Sequence, residues 1–143
     1  MIDMVVEFQR EYKGVHIVGV LKAIGYRCGY VGIEKTDKNL KILDRINELE
    51  VHGGVTFARV DNEYPIKTSE KLIWIGFDCA HLNDGMDCDA ALLQLATNKE
   101  EIIFLNVLGK ANKGCHVWTA EEVESECNKL VDEIIAVLAD SDE

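Results

Sequence analysis

Basic residues are scarce in this chain: 15 Lys+Arg stand against 26 Asp+Glu, a formal net charge of −11 over 143 residues. Duplex nucleic acid is therefore a poor partner, because binding it depends on clustered cations that displace counterions from phosphates. A small anionic ligand held by one or two arginines stays compatible with that balance. Long apolar runs are missing too. None nears the ~20 residues of a membrane span, so no membrane partner is expected. The opening stretch, MIDMVVEFQREYKG, carries acids early and has no basic segment ahead of a small-residue cleavage site. No export signal is expected, and the expected compartment is the cytoplasm. No C-x-x-C pair occurs, which removes zinc knuckles and thioredoxin-type redox sites. The cysteines, Cys28, Cys79, Cys88, Cys115 and Cys127, are odd in number and unevenly spaced, as reduced thiols would be. Proline occurs once, Pro65, in DNEYPIKTSE, which reads as a loop. No internal repeat or low-complexity segment is present.

What is there suits a single domain, 1–143, with a sizeable core: 48% of residues are hydrophobic. The first third is rich in β-branched and aromatic residues punctuated by glycine. It predicts a hairpin followed by a strand over Tyr26–Glu34, with 21–24 able to form a helical turn. KNLKILDRINELE places Leu40, Ile42, Leu43, Ile46 and Leu49 at spacings that predict a short amphipathic helix. VHGGVTFARV alternates as a strand does, weakened by its glycine pair. KLIWIGFD predicts a buried strand. From Asp87 the pattern turns helical to Leu108, with Asn98 and Lys99 as an interruption, and 98–108 is open to either helix or strand. Thr119 with Glu122 three residues on is a capping box. It opens a helix whose stripe is Val123, Cys127, Leu130, Ile134, Val137 and Leu138. The acidic tail, 140–143, is expected to fray. Strands first and helices later predict an α+β fold: a small antiparallel or mixed sheet, a long C-terminal helix, and a further helical segment packed on it.

Three segments could carry chemistry. In GYRCGYVG the glycines would let backbone approach a ligand and the tyrosines offer stacking faces, although packing glycines in a strand explain them as well. In VHGGVTF, Gly53 and Gly54 could open a nest of backbone N–H groups for an anion, with His52 as acid, ligand or donor. The third is LIWIGFDCAHLNDGMDCD, where a buried strand turns abruptly into acids, Cys and His. Asp78 and His81 stand three apart, so a tight turn would bring them together. With His52 they make a two-histidine, one-carboxylate set able to hold a divalent metal with open positions. Strand ends at one sheet edge gather polar groups, so these three side chains are expected within about 8 Å of one another. Asp84, Asp87 and Asp89 lack the spacing of a calcium loop. Cys79 sits among acids that raise a thiol's pKa, which makes it a structural residue and not a nucleophile. Trp118 is expected to staple the last helix, with a ligand platform as the other option.

Taken in order, RCGYVGI, VHGGVTF, WIGFDCAHLND and WTAEEVESECNKL resemble a widespread family of small, mostly uncharacterised bacteriophage and prophage proteins. The matching covers most of the chain between Arg27 and Leu130. It departs from the family pattern in the shortened, proline-poor linker, 33–51, and in the long insert, 87–109. The resemblance implies a protein working in an infected bacterial cytoplasm, where small phage proteins act against host defence by sequestering or cleaving nucleotide-derived signals.

Two functions are compatible with these residues. In the first, preferred at this level, the protein captures a nucleotide-type ligand without turnover and without a cofactor. His52, Gly53, Gly54, Thr56, Phe77, Asp78 and His81 would line the pocket. Tyr26, Tyr30 or Trp74 would stack on a base, and Arg27 and Arg59 would meet phosphates. In the second, His52, Asp78 and His81 bind a divalent metal that activates water, helped by Asp84 or Asp87 as base. Self-association as a homodimer or higher homo-oligomer is expected, because a small sheet under one helical layer leaves apolar surface to cover.

Overall fold

The structure, a computed structural model, describes residues 1–140. The tail expected to fray lies outside the described residues beyond Asp140. Two strands, β1 (Met4–Tyr12) and β2 (Val15–Lys22), form an antiparallel hairpin. Its turn residues Lys13 and Gly14 both have positive φ, 50° and 75°, the handedness that matches strand twist. A 3-10 turn over Ala23–Gly25 leads into β3, Tyr26–Glu34, the bounds expected from sequence. After a one-turn helix α1 (Asp37–Leu40) come β4 (Phe57–Asp61) and β5 (Leu72–Asp78). The sheet order is β1-β2-β3-β5-β4, and every neighbouring pair is antiparallel. A two-residue strand β6 (Asp84–Gly85), helices α2 (Cys88–Gln94) and α3 (Lys99–Gly109), a second short strand β7 (His116–Val117) and the long helix α4 (Ala120–Asp140) complete the chain. The fold is α+β, and the segment left open between helix and strand is helix from Lys99, with Asn98 as its cap.

Alternation along β5 sorts the core into two faces. Ile73, Ile75, Phe77 and Cys79 join Val31 and Ile33 on one side, where α4 lays down Val123, Cys127, Leu130, Val131, Ile134 and Leu138. Burying each such side chain contributes about 1.5–3 kcal/mol. Gly29 permits this contact: a Cβ there would stand 2.6 Å from the Phe77 ring and 2.8 Å from Cys127 Sγ. Leu72 and Trp74 face the other way with Val18, Val20, Cys28 and Tyr30, under a cover that includes Tyr64 and Ile66. At the β2 end of the sheet, Leu21 packs with Ala91 and Leu95 of the α2 segment and Leu105 of α3.

Two expected elements differ. The helix expected over KNLKILDRINELE is instead one α-turn and two 3-10 turns, Lys41–Asp44 and Ile46–Glu48. Ile42 and Leu49 are buried, but Leu43 is exposed, so the segment winds past the end of α4 without keeping one continuous face. The strand expected from Val51 begins only at Phe57, because Gly53 and Gly54 adopt φ of 69° and 83° and turn the chain.

Candidate functional site

Three stretches of chain meet beside the N-terminal half of α4. The first is the turn at 51–54, closed by Gly54 N–H donating to Val51 O at 2.8 Å. Its His52 N–H donates to Glu126 Oε1 of α4 at 3.2 Å, which fixes the turn against the helix. The second is the turn that leaves β5. Asp78 Oδ1 accepts from Ala80 N, and Asp84 Oδ2 accepts from His81 N at 3.0 Å while Asp84 N donates to His81 O. The third is β7, which pairs in parallel with β6 and so carries Trp118 alongside Asp84.

These turns centre on the Asp84 carboxylate, whose side chain is only 4% exposed. His52 Nε2 lies 3.0 and 2.9 Å from its two oxygens. His81 Nδ1 lies 3.1 Å from Oδ2, and Trp118 Nε1 donates to Oδ1 at 3.2 Å. Burial alone would raise the pKa of Asp84, but the bonds from His52 and His81 outweigh it and hold the carboxyl below its ordinary range. The imidazoles stand edge to face with centroids 5.3 Å apart, and the Trp118 ring lies 4.3 Å from that of His52. Gly53 makes room for this arrangement: a Cβ there would fall 2.0 Å from His81 Cε1.

His52, His81 and Asp84 each offer a ligand atom, with these atoms all within 4.8 Å of one another. Asp84 therefore takes the place that sequence reasoning gave to Asp78 in the metal-binding set. Asp78 contacts His81 from the other ring nitrogen, its Oδ1 3.5 Å from Nε2. His81 thus has His52 edge to face at 5.3 Å and Asp78 at its other ring nitrogen. The sequence carried the same three-residue spacing on both sides of His81, and only the turn geometry distinguishes the two carboxylates.

On the opposite side of the sheet, a cavity of about 580 Å³ opens at the end of β5. Tyr26, Tyr30, Thr56, Phe57, Phe77 and Asp78 are among its walls. Of the residues expected to line a pocket, Tyr30, Thr56, Phe77 and Asp78 do so, whereas His52, Gly53 and His81 belong to the imidazole cluster. Gly54 is open, with nothing within 4 Å of a Cβ placed there. Asp78 belongs to both parts.

Both arginines expected to meet phosphates are elsewhere. Arg27 is buried and donates to Glu7 Oε1 at 2.7 Å, Glu7 Oε2 at 2.9 Å, Asp87 Oδ2 at 2.5 Å and Trp118 O at 2.7 Å. Burial opposes its charge, and the bonds to Glu7 and Asp87 more than offset that, so its pKa stands above the ordinary arginine value. Asp87, committed to Arg27 and to capping α2 through Ala90 N, is not a free base. Arg59 lies exposed on the edge strand over the Phe57 ring and does not line the cavity. Trp74 is fully buried and offers no stacking face. Cys79 is a core residue, its thiol pushed up by burial and by the nearby Asp84. No helix among the described residues is long and apolar enough to cross a membrane. No family model, curated protein or solved structure matches this chain.

Proposed function

We propose that this protein is a metal-dependent hydrolase in which His52, His81 and Asp84 hold a divalent transition-metal ion at the end of β5, with Asp78 joining that cluster to the cavity that seats the substrate. One observation carries the reading: Asp84 Oδ2 lies 2.9 Å from His52 Nε2 and 3.1 Å from His81 Nδ1, so a carboxylate oxygen and two imidazole nitrogens already converge. The supporting contacts have the pattern of metal sites. Asp78 stands behind His81 Nε2 as the carboxylate that orients a ligating imidazole, and Trp118 Nε1 orients Asp84 through its other oxygen. Two imidazoles and one carboxylate suit zinc, iron or manganese rather than calcium or magnesium. They would leave positions open for water and substrate, and the ion would supply the acidity that lets water ionise near neutral pH.

Capture without turnover loses support because it relied on Arg27 and Arg59 to meet phosphate. With Arg27 spent on Glu7 and Asp87, and acids around the cluster, an anionic group would be received by the metal itself. The aromatic walls of the cavity suit a base, so the substrate class remains the nucleotide-type ligand implied by the phage-family resemblance.

The test begins with metal-stripped protein titrated with Co²⁺. A visible d–d band saturating at one equivalent is expected, and it should vanish in His52→Ala and Asp84→Asn but survive in Asp78→Asn. Metal-loaded protein is then incubated with a panel of nucleoside phosphodiesters. Cleaved product that EDTA prevents supports the reading. A captured ligand returned intact after denaturation would overturn turnover, and absence of the band would overturn the metal site.

A further inference from the structure

Helix α3 presents its apolar residues outward, the reverse of what a surface helix normally does. Leu105 is its one buried residue, whereas Ile103, Phe104 and Val107 are 56%, 51% and 64% exposed. With 3.6 residues per turn, Ile103 and Val107 flank the direction opposite Leu105. Leu93 on the neighbouring α2 adds a side chain 89% exposed.

The outward stripe runs Glu100, Ile103, Val107, Lys110, at spacings of three, four and three, the spacing of a coiled-coil seam. Lys110 follows the last α3 residue with φ −70° and ψ −20°, so it stays in helical register. Both charged residues are exposed, and neither has an ion-pair partner among the described residues. The stripe is self-complementary in one direction only. Residues 100 and 110, like 103 and 107, are symmetric about 105. An antiparallel copy therefore sets Glu100 against Lys110 twice and Ile103 against Val107 twice. A parallel copy would set like charges against each other.

We propose that this face of α3 is a self-association surface, occupied by a second copy of the chain related by a two-fold axis that passes at the level of Leu105. The apolar pairs supply the burial and the charge pairs select the direction. This inference is independent of the metal reading, since α3 contributes no residue to the imidazole cluster.

The test is sedimentation equilibrium of the full chain over increasing concentration. The weight-average mass should rise from 16.0 kDa toward twice that value. Ile103→Asp, a change at an exposed position, should weaken association about thirtyfold or more, as loss of a central interface contact does. Glu100→Lys or Lys110→Glu alone should weaken it roughly tenfold, since each opposes two rim pairs, and the double reversal should restore it. In the unaltered protein, amide exchange over 99–109 should slow as concentration rises. A mass of 16.0 kDa at every concentration would overturn the proposal. So would a dimer indifferent to Ile103→Asp, or a double reversal no better than the single ones.

Discussion

Replacing Arg27 with Met separates a structural arginine from a ligand-binding one. The side chain is 7% exposed and makes four hydrogen bonds that join β3 to β1 through Glu7, to the start of α2 through Asp87, and to the chain ahead of α4 through Trp118 O. Methionine would fill much of the same volume but leave both carboxylates without their counter-charge. Removing one partner of a buried ion pair costs about 3–5 kcal/mol, because the remaining charge is stranded. The stranded groups keep some relief here. Glu7 still accepts from Gln94 Nε2 at 3.3 Å, and Asp87 keeps its capping bond to Ala90 N and is partly exposed. The lower end, about 3 kcal/mol, is therefore expected. For a chain of this size that corresponds to a melting temperature lower by roughly 10 °C. Urea unfolding followed by circular dichroism should show a lower midpoint with an unchanged slope. Arg27→Lys should fall in between, since a lysine keeps the charge but not the planar fork. A surface arginine reserved for phosphate would behave in the opposite manner, with stability nearly unaffected and binding lost. An Arg27→Met protein within about 1 kcal/mol of the original would refute the structural assignment.

Two further outcomes test the local geometry. Gly53→Ala places a methyl group 2.0 Å from His81 Cε1 at a φ of 69°, so it should cost about 1–3 kcal/mol and push His81 from its partner, visible as weakened Co²⁺ binding alongside a lowered urea midpoint. Among the thiols, half-buried Cys115 should be alkylated first at neutral pH, as read by peptide mass spectrometry. Cys127, its pKa pushed up by burial to about 12, and Cys79 should react only after unfolding, and early labelling of either would count against the packing of α4 on the sheet.

Much of the fold was legible because local signals agreed with the tertiary outcome. The Thr119–Glu122 box forms reciprocally, Glu122 N donating to Thr119 Oγ1 and Thr119 N to Glu122 Oε1, both at 3.1 Å. Asn98, read as an interruption of the helical pattern, caps α3 by accepting from Glu101 N. Arg27 was misassigned because its deciding partners lie far away in sequence. Arg27 has the same parity as Gly29, Val31 and Ile33 and so points to the α4 side, yet its partners Glu7 and Asp87 lie 20 and 60 residues away. The parity of β5 was likewise readable. Asp78 shares the face of Trp74, while Phe77 and Cys79 face the helix. What parity could not supply was the turn at 81–84, which folds Asp84 back onto the His81 backbone and makes it, not Asp78, the shared carboxylate.

Asp84 then has two separable roles. It receives bonds from His52, His81 and Trp118, so it ties the turn at 51–54, the turn that leaves β5 and the chain after β7 together with or without a metal. A purely structural carboxylate would give the same stability loss in Asp84→Asn whether or not metal is supplied. A ligand would not. Metal that binds only the folded protein adds RT ln(1 + [L]/Kd), about 2.7 kcal/mol at a hundredfold excess over Kd. The gap between the original chain and Asp84→Asn should therefore widen by about that amount when Zn²⁺ is added. Asp78→Asn, which alters only the partner behind His81, should retain most of the gain, since outer partners change metal affinity by about 10–100-fold and do not abolish it. Equal gaps with and without Zn²⁺ would make Asp84 a structural tie and leave the cluster without its ligand role.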